Sequence, residues 1–375
     1  MSRSRAVTTV HQSELDEVFN IQSPRRLALL LQLKRTLKVD KVPASFWACL
    51  QVCDLTQLER LIAIAAISPS LVSILIDTCY SLPRTWMQRS PWVKSVSSST
   101  TSASSTSASA TDVDNDARRG RARATKMKND AQERDGKACV LTRVSQHQVA
   151  HIYPQGLISL PNIQTAFDRC IPGIWKFLHV FWDEDRVSRW RHSIFRDPDD
   201  SEKPYDGCYN MICLRDDVLS MWGKGIFALR PISLSPDRKQ LHLQFYWQPN
   251  QTHGPNDFVE MTKAPLSSKD LTEVAGNMLS YHDSNQVWVS IKSGHIFTMT
   301  TCDPERLPLP SFELLEMQWY LTRIVSMSAA AEAQEDVDSD NGDGGNDLTL
   351  PLENSRFDDV LHWILPPPSD EASYI

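Results

Sequence analysis

The chain has 375 residues, 41% of them hydrophobic, and a formal net charge of −7 at pH 7. That length accommodates more than one domain with a sizeable core, while the acidic balance excludes a uniformly basic nucleic-acid coat and confines any polyanion contact to a local patch. Eight cysteines are scattered without a CxxC pair, which excludes a regular disulfide framework and reads as reduced, mostly buried thiols.

The polar start, Met1-Ser-Arg-Ser-Arg5, has no apolar signal core, so an intracellular protein, nuclear or cytoplasmic and not secreted, is expected. Residues 1–93 read as an all-helical module. Ser13 with Asp16 resembles a capping pair ahead of Leu15, Val18 and Phe19; Ser23-Pro24 opens a helix carrying Leu27, Leu30, Leu31 and Leu37. Asp54 caps a helix with Leu58, Leu61, Ile62 and Ala65, and Ser68-Pro69 starts one with Leu71, Ile74, Leu75 and Cys79. The apolar run 61–76 is broken by Ser68-Pro69-Ser70, leaving each arm far short of the ~20 residues of a membrane span, so no membrane partner is expected. A packing or dimerisation role, with a protein partner, fits this module.

Residues 94–133 read as a linker. Its first part is nearly all Ser, Thr and Ala, too poor in bulky apolar residues to offset the entropy of ordering. From Arg118 to Lys137 there are eight Lys and Arg against three Asp and Glu. Arg118, Arg119, Arg121, Arg123, Lys126 and Lys128 are the candidate nucleic-acid contacts, because each phosphate neutralised adds salt-dependent affinity; a solvated or nuclear-import tract reads equally well.

Residues 134–250 read as an α+β domain, with strands expected at Cys139–Leu141, Val149–Ile152, Met211–Leu214, Ile226–Leu229 and Leu241–Trp247. Pro172-Gly173 opens a helix bearing Trp175, Leu178, Phe181 and Trp182, followed by Val187 and Trp190; such a stripe reads as core rather than a base-stacking platform. In residues 251–330 a helix is expected around Leu271, Val274 and Met278, then a hairpin pairing Val287–Ile291 with His295–Thr300 across Ser293-Gly294, then a helix from Ser311 to Met327. Residues 331–375 read as an acidic disordered tail, with seven carboxylates and no Lys or Arg between Glu332 and Asp347, ending in one short helix over Phe357–Leu365.

Two separated motifs carry the chemistry. Arg134-Asp135-Gly136, Cys139-Val-Leu-Thr142 and Ala150-His151-Ile152 with Pro154 form the first; Asn210-x-Ile212-x-Leu214, Trp222 and Phe227-Ala-Leu with Pro231 form the second. Together with Ser293-Gly-His-Ile-Phe-Thr298, Asp303-Pro and Leu314–Trp319, they resemble the HNH nuclease domain found in fungal proteins, over residues 134–330. The resemblance implies an α+β, ββα-metal nuclease domain with extensions behind an all-α N-terminal module. It further implies hydrolysis of DNA phosphodiesters with a divalent metal such as Mg²⁺ or Mn²⁺, His151 as general base and Asn210 as its orienting residue.

The departures lie around the implied ion. The family's helix His is Leu219, its Gly after Thr142 is Arg143, an Asp after the helix aromatic is Gly223, and Ala150 stands where other nuclease branches use a carboxylate. Leucine cannot ligate a metal. Asp216, three residues earlier on the same helix face, is the candidate replacement ligand. The alternative is an inactive HNH-fold protein that binds nucleic acid or protein. A carboxylate facing His151 within a few Å would favour the nuclease; Leu219 packed into the core with no carboxylate facing His151 would favour the scaffold.

Overall fold

The computed structural model describes residues 16–87, 110–158, 171–196, 204–283 and 287–331, with the side chains of 110–121 and 171–173 outside that description. Ser23 caps α1 (Pro24–Leu37) by accepting the Arg26 N–H, with Pro24 in the first turn, and Lys38 in the left-handed region ends it. Of its expected stripe Leu30 is buried and Leu27 and Leu31 are exposed, while Leu33 joins Leu30 inside. After β1 (Lys41–Pro43) comes α2 (Ala44–Val52), buried at every position. Such a segment has no polar face, so its sequence carries no helical period. The helices α3 (Leu55–Ile67), α4 (Pro69–Thr78) and α5 (Ser81–Trp86) follow.

Asp54 precedes α3 but makes no side-chain cap there. Its carboxylate instead accepts from the Asp183 N–H at 3.0 Å and from Arg186 at 2.8 Å, and its own N–H donates to the Phe181 carbonyl. Through these bonds, and through a continuous apolar core running from Leu30 to Ala330, the N-terminal helices pack directly on the rest of the chain.

The basic stretch expected in a linker is helical: α6 spans Ala110–Arg134. The preceding Ser/Thr-rich residues to 109 and the tail beyond 331, with its expected helix over Phe357–Leu365, lie outside the described residues. Cys139–Leu141, expected as a strand, is a tight turn in which the Cys139 carbonyl accepts from the Arg143 N–H. Arg143 sits at φ 64, the left-handed region that glycine occupies without strain, so the turn accounts physically for a glycine at this place in the resembled family.

Next come β2 (Gln148–His151), α7 (Gln155–Ile158), α8 (Ile171–Phe181) and α9 (Glu184–Ile194). A 3₁₀ turn, Cys208–Asn210, leads into β3 (Met211–Leu214) and then α10 (Asp216–Gly223). β2 and β3 pair antiparallel with His151 opposite Met211. The strands β4 (Phe227–Leu234) and β5 (Gln240–Trp247) form a hairpin, and β6 (Phe258–Glu260) pairs with β1.

Two expectations fail in the stretch that follows. In place of a helix around Leu271–Met278 there is a minimal hairpin of β7 (Glu273–Val274) and β8 (Asn277–Met278). Ala275 at φ 49 and Gly276 at φ 75 form a turn of the kind that joins two-residue hairpins. Nor do the two expected strands after it pair with each other. β9 (Ser280–His282) takes β10 (Trp288–Ser290) as partner, and β11 (Ile296–Thr300) joins the far edge of β5 to make the sheet β11-β5-β4. The last helix, α11 (Phe312–Met327), is capped by Ser311 and buried along most of its length, so the other elements pack around it.

One buried ion pair ties this arrangement to β3. Arg134, at the end of α6, forks onto Asp135 at 2.7 and 3.0 Å, with both side chains essentially inaccessible. The same guanidinium donates to the carbonyls of Cys208, Met211 and Pro308, and Asp135 accepts the Cys213 N–H. Arg134→Ala therefore leaves the buried Asp135 carboxylate without its cationic partner and takes a donor from each of three carbonyls, and is expected to lower the unfolding free energy by about 3–5 kcal/mol in urea denaturation.

Candidate functional site

The β2–β3 pair ends at His151, and the loop after it is held by Asn210. This amide is fully buried. Its Oδ1 accepts the Tyr153 N–H at 2.7 Å, and its Nδ2 donates to the Tyr153 carbonyl at 3.1 Å, extending the strand ladder with a side chain. The same Nδ2 donates to Asp206 Oδ1 at 3.1 Å. Asp206 Oδ2 lies 3.0 Å from His151 Nε2. Asn210 thus reaches the imidazole only through Asp206.

Asp206 is the residue that the sequence reading missed. It lies in 204–207, a stretch without periodicity between α9 and the 3₁₀ turn. Two local signals mark it: an Asp-Gly pair, and a position four residues before Asn210. Burial alone would push its carboxyl up, but the hydrogen bond and charge of His151, the Asn210 amide and the Gly207 N–H together hold it below its ordinary value. When the imidazole is neutral, an ionised Asp206 accepting from Nε2–H leaves the lone pair on Nδ1. The arrangement is an imidazole backed by a carboxylate that a buried amide holds in turn.

His151, Pro154, Trp86, Leu219, Trp222 and Val325 are among the residues lining a cavity of about 110 Å³. Leu219 is half-buried, packed against the core, and on the same cavity as the imidazole. The expected replacement ligand Asp216 is exposed in the first turn of α10 and does not line that cavity. Asp217 beside it pairs with Arg215. Among the described residues no group of three or more His, Cys, Asp or Glu is placed to hold a metal ion. The donors present at His151 are one imidazole and one carboxylate that already accepts from three groups, so the residues do not fit the divalent cation that the resemblance implies.

The remaining candidates separate by exposure. Arg123, Lys126 and Lys128 are exposed on α6, and Arg123 donates to the Asp206 carbonyl at 3.1 Å. The side chains of Arg118, Arg119 and Arg121 lie outside the described residues. Cys208 and Cys213 are buried, with burial pushing the Cys208 thiol up to about 11 and the Cys213 thiol higher still, the opposite of what a metal-binding thiolate needs. No helix among the described residues is long and apolar enough to cross a membrane.

Because the folded Asp206 carboxyl is depressed, its contribution to stability is present above the unfolded carboxylate pKa and lost as pH falls through the folded value. Asp206→Asn is expected to cost about 1.5–3 kcal/mol at neutral pH, the range for hydrogen bonds to charged groups. The gap to the unsubstituted protein should close in acid, as read from thermal or urea unfolding across pH. A gap that stays constant down to low pH would remove the ionised carboxylate from the account.

No curated protein and no solved structure matches the chain. Residues 139–230, less than half of its length, match the family model described as HNH endonuclease, so the stretch that carries His151, Asp206 and Asn210 is a domain of HNH nuclease type.

Proposed function

We propose that residues 139–230 engage DNA as an HNH-type module that keeps the proton-accepting half of a phosphodiesterase and has lost the cation-holding half. His151 is the proton acceptor, and Asp206 and Asn210 set its tautomer and position. The observation that carries the reading is Leu219 on the cavity that His151 lines. Hydrolysis of a phosphodiester builds negative charge on the phosphoryl and leaving oxygens, and a leucine in the place of a metal-holding imidazole leaves that charge without a cation. Cleavage by the protein as it stands is therefore expected to be slight, and DNA binding its surviving activity.

The rival reading, a competent metal-dependent endonuclease, draws support from the carboxylate 3.0 Å from His151. That carboxylate is turned to the imidazole and bonded to the Asn210 amide and the Gly207 N–H as well. It explains a good base better than a good cation site.

A plasmid-nicking assay with Mg²⁺ or Mn²⁺ separates the two. The full chain should nick near background, and His151→Ala should change little. Leu219→His, which returns an imidazole to the cavity, should raise nicking, and adding His151→Ala to it should remove about 10²-fold or more, the usual worth of a general base. Robust cutting by the unsubstituted chain that depends on His151 would overturn the proposal.

A further inference from the structure

Three guanidiniums outside the HNH motif residues converge on the segment 204–209. Arg123 of α6 lies 3.8 Å from the Tyr205 ring centroid. Arg196, just beyond α9, lies 4.8 Å from that of Tyr209, its Nε donating to the His192 carbonyl. The Tyr209 hydroxyl donates to the Tyr205 carbonyl and so joins the two stacks. Both arginines act electrostatically on the Tyr209 phenol. Tyr209 and Arg196 also line a cavity of about 240 Å³, to which the β4–β5 turn adds Arg238.

Stacking on a ring fixes the plane of a guanidinium and leaves N–H edges free to fork onto an anion. Among the described residues no carboxylate pairs with Arg123, Arg196 or Arg238. Three carboxylates near them are committed elsewhere: Asp237, next to Arg238, accepts from the Ser235 hydroxyl and the Lys239 N–H. Asp206 accepts from His151, Asn210 and Gly207; Glu313, on the cavity wall, accepts from the Ser311 and Ser193 hydroxyls.

We infer that the Tyr205–Tyr209 face is a phosphate track for the backbone of a nucleic-acid strand. Arg123 takes one phosphate, and Arg196 with Arg238 takes another at the cavity. The inference rests on the reading that this module engages DNA, and it places that contact beside the proton acceptor, because Asp206 bonds Arg123 through its main chain and His151 through its side chain. Phosphate contacts of this kind position a strand without reading its sequence.

The test is a salt titration of binding between the full chain and a fluorescein-labelled DNA duplex, with inorganic phosphate as a second probe followed by thermal shift. Each phosphate neutralised contributes about −0.9 to the slope of log affinity against log salt. Arg196→Gln with Arg238→Gln, which together remove one phosphate contact, should make the slope shallower by about 0.9, and Arg123→Gln by the same. Arg196→Lys should keep the slope and weaken binding, since the charge remains and the fork does not. Melting curves of all variants check that these exposed substitutions leave the fold intact. DNA binding with an unchanged slope in every variant would overturn the track and leave the DNA reading standing. A phosphate-induced thermal shift, lost in the Arg196/Arg238 variant, from a chain that binds no duplex would keep the anion site and sink the DNA reading. No response to either probe would sink both.

Discussion

The buried Arg134–Asp135 pair is the constraint on which the site depends. Two opposite charges out of water are costly to place, and they persist because every remaining donor and acceptor is used. Arg134 collects the carbonyls of Cys208, Met211 and Pro308, which come from the turn before β3, from β3 itself, and from the segment entering α11. Asp135 collects the Cys213 N–H on the same strand. Asn210 lies between two of these anchored residues. Its amide is therefore delivered to Tyr153 and Asp206 by a framework that begins at the end of α6. The same helix carries Arg123 to Tyr205. One rigid element thus sets both the proton acceptor and the basic face beside it.

Much of this was legible in the sequence where local chemistry decides structure. Ser23-Pro24, Ser68-Pro69 and Ser311 mark helix starts because capping and proline geometry act within one turn. β3 and the β4–β5 hairpin fall where the sequence places strands, and β2 lies one residue N-terminal of its expected span. The failures differ in cause. Ala275-Gly276 puts a local turn into a stretch whose apolar spacing looks helical, and β10 turns back onto β9 just before it. Only β11 takes a distant partner, Ile296 facing Gln244 of β5, which no short window contains. The buried helix α2 escaped for another reason, since a segment hidden on all sides has no polar face to betray its period.

The site divides along the same line. His151 and Asn210 belong to motifs and were named from them. Asp206 was not, because its importance comes from meeting His151 across 55 residues, and the Asp-Gly pair and its spacing from Asn210 mark the residue without naming that partner. Leu219 was read as a lost donor, and coordinates add its setting: it stands on the cavity with His151, and Asp216 does not.

What these residues say about catalysis depends on which of them have structural work to do in any case. Asn210 pairs with the Tyr153 main chain and fills both sides of its amide, so its removal would orphan buried groups whether or not the protein ever cut DNA. Asp206 stitches Gly207 and Asn210 together and is held for similar reasons. Neither residue is evidence of turnover. The Nδ1 of His151 differs: Nε2 alone engages Asp206, and among the described residues Nδ1 accepts no hydrogen bond. A carboxylate-supported imidazole with a free lone pair has no structural need for that nitrogen. Against it stands Leu219, which lines the same cavity as Trp86, Trp222 and Val325, with Gln318 and Thr322 as its polar members. On the proposed reading, that wall gives His151 no second imidazole or carboxylate, which fits contact with a phosphate better than breaking one.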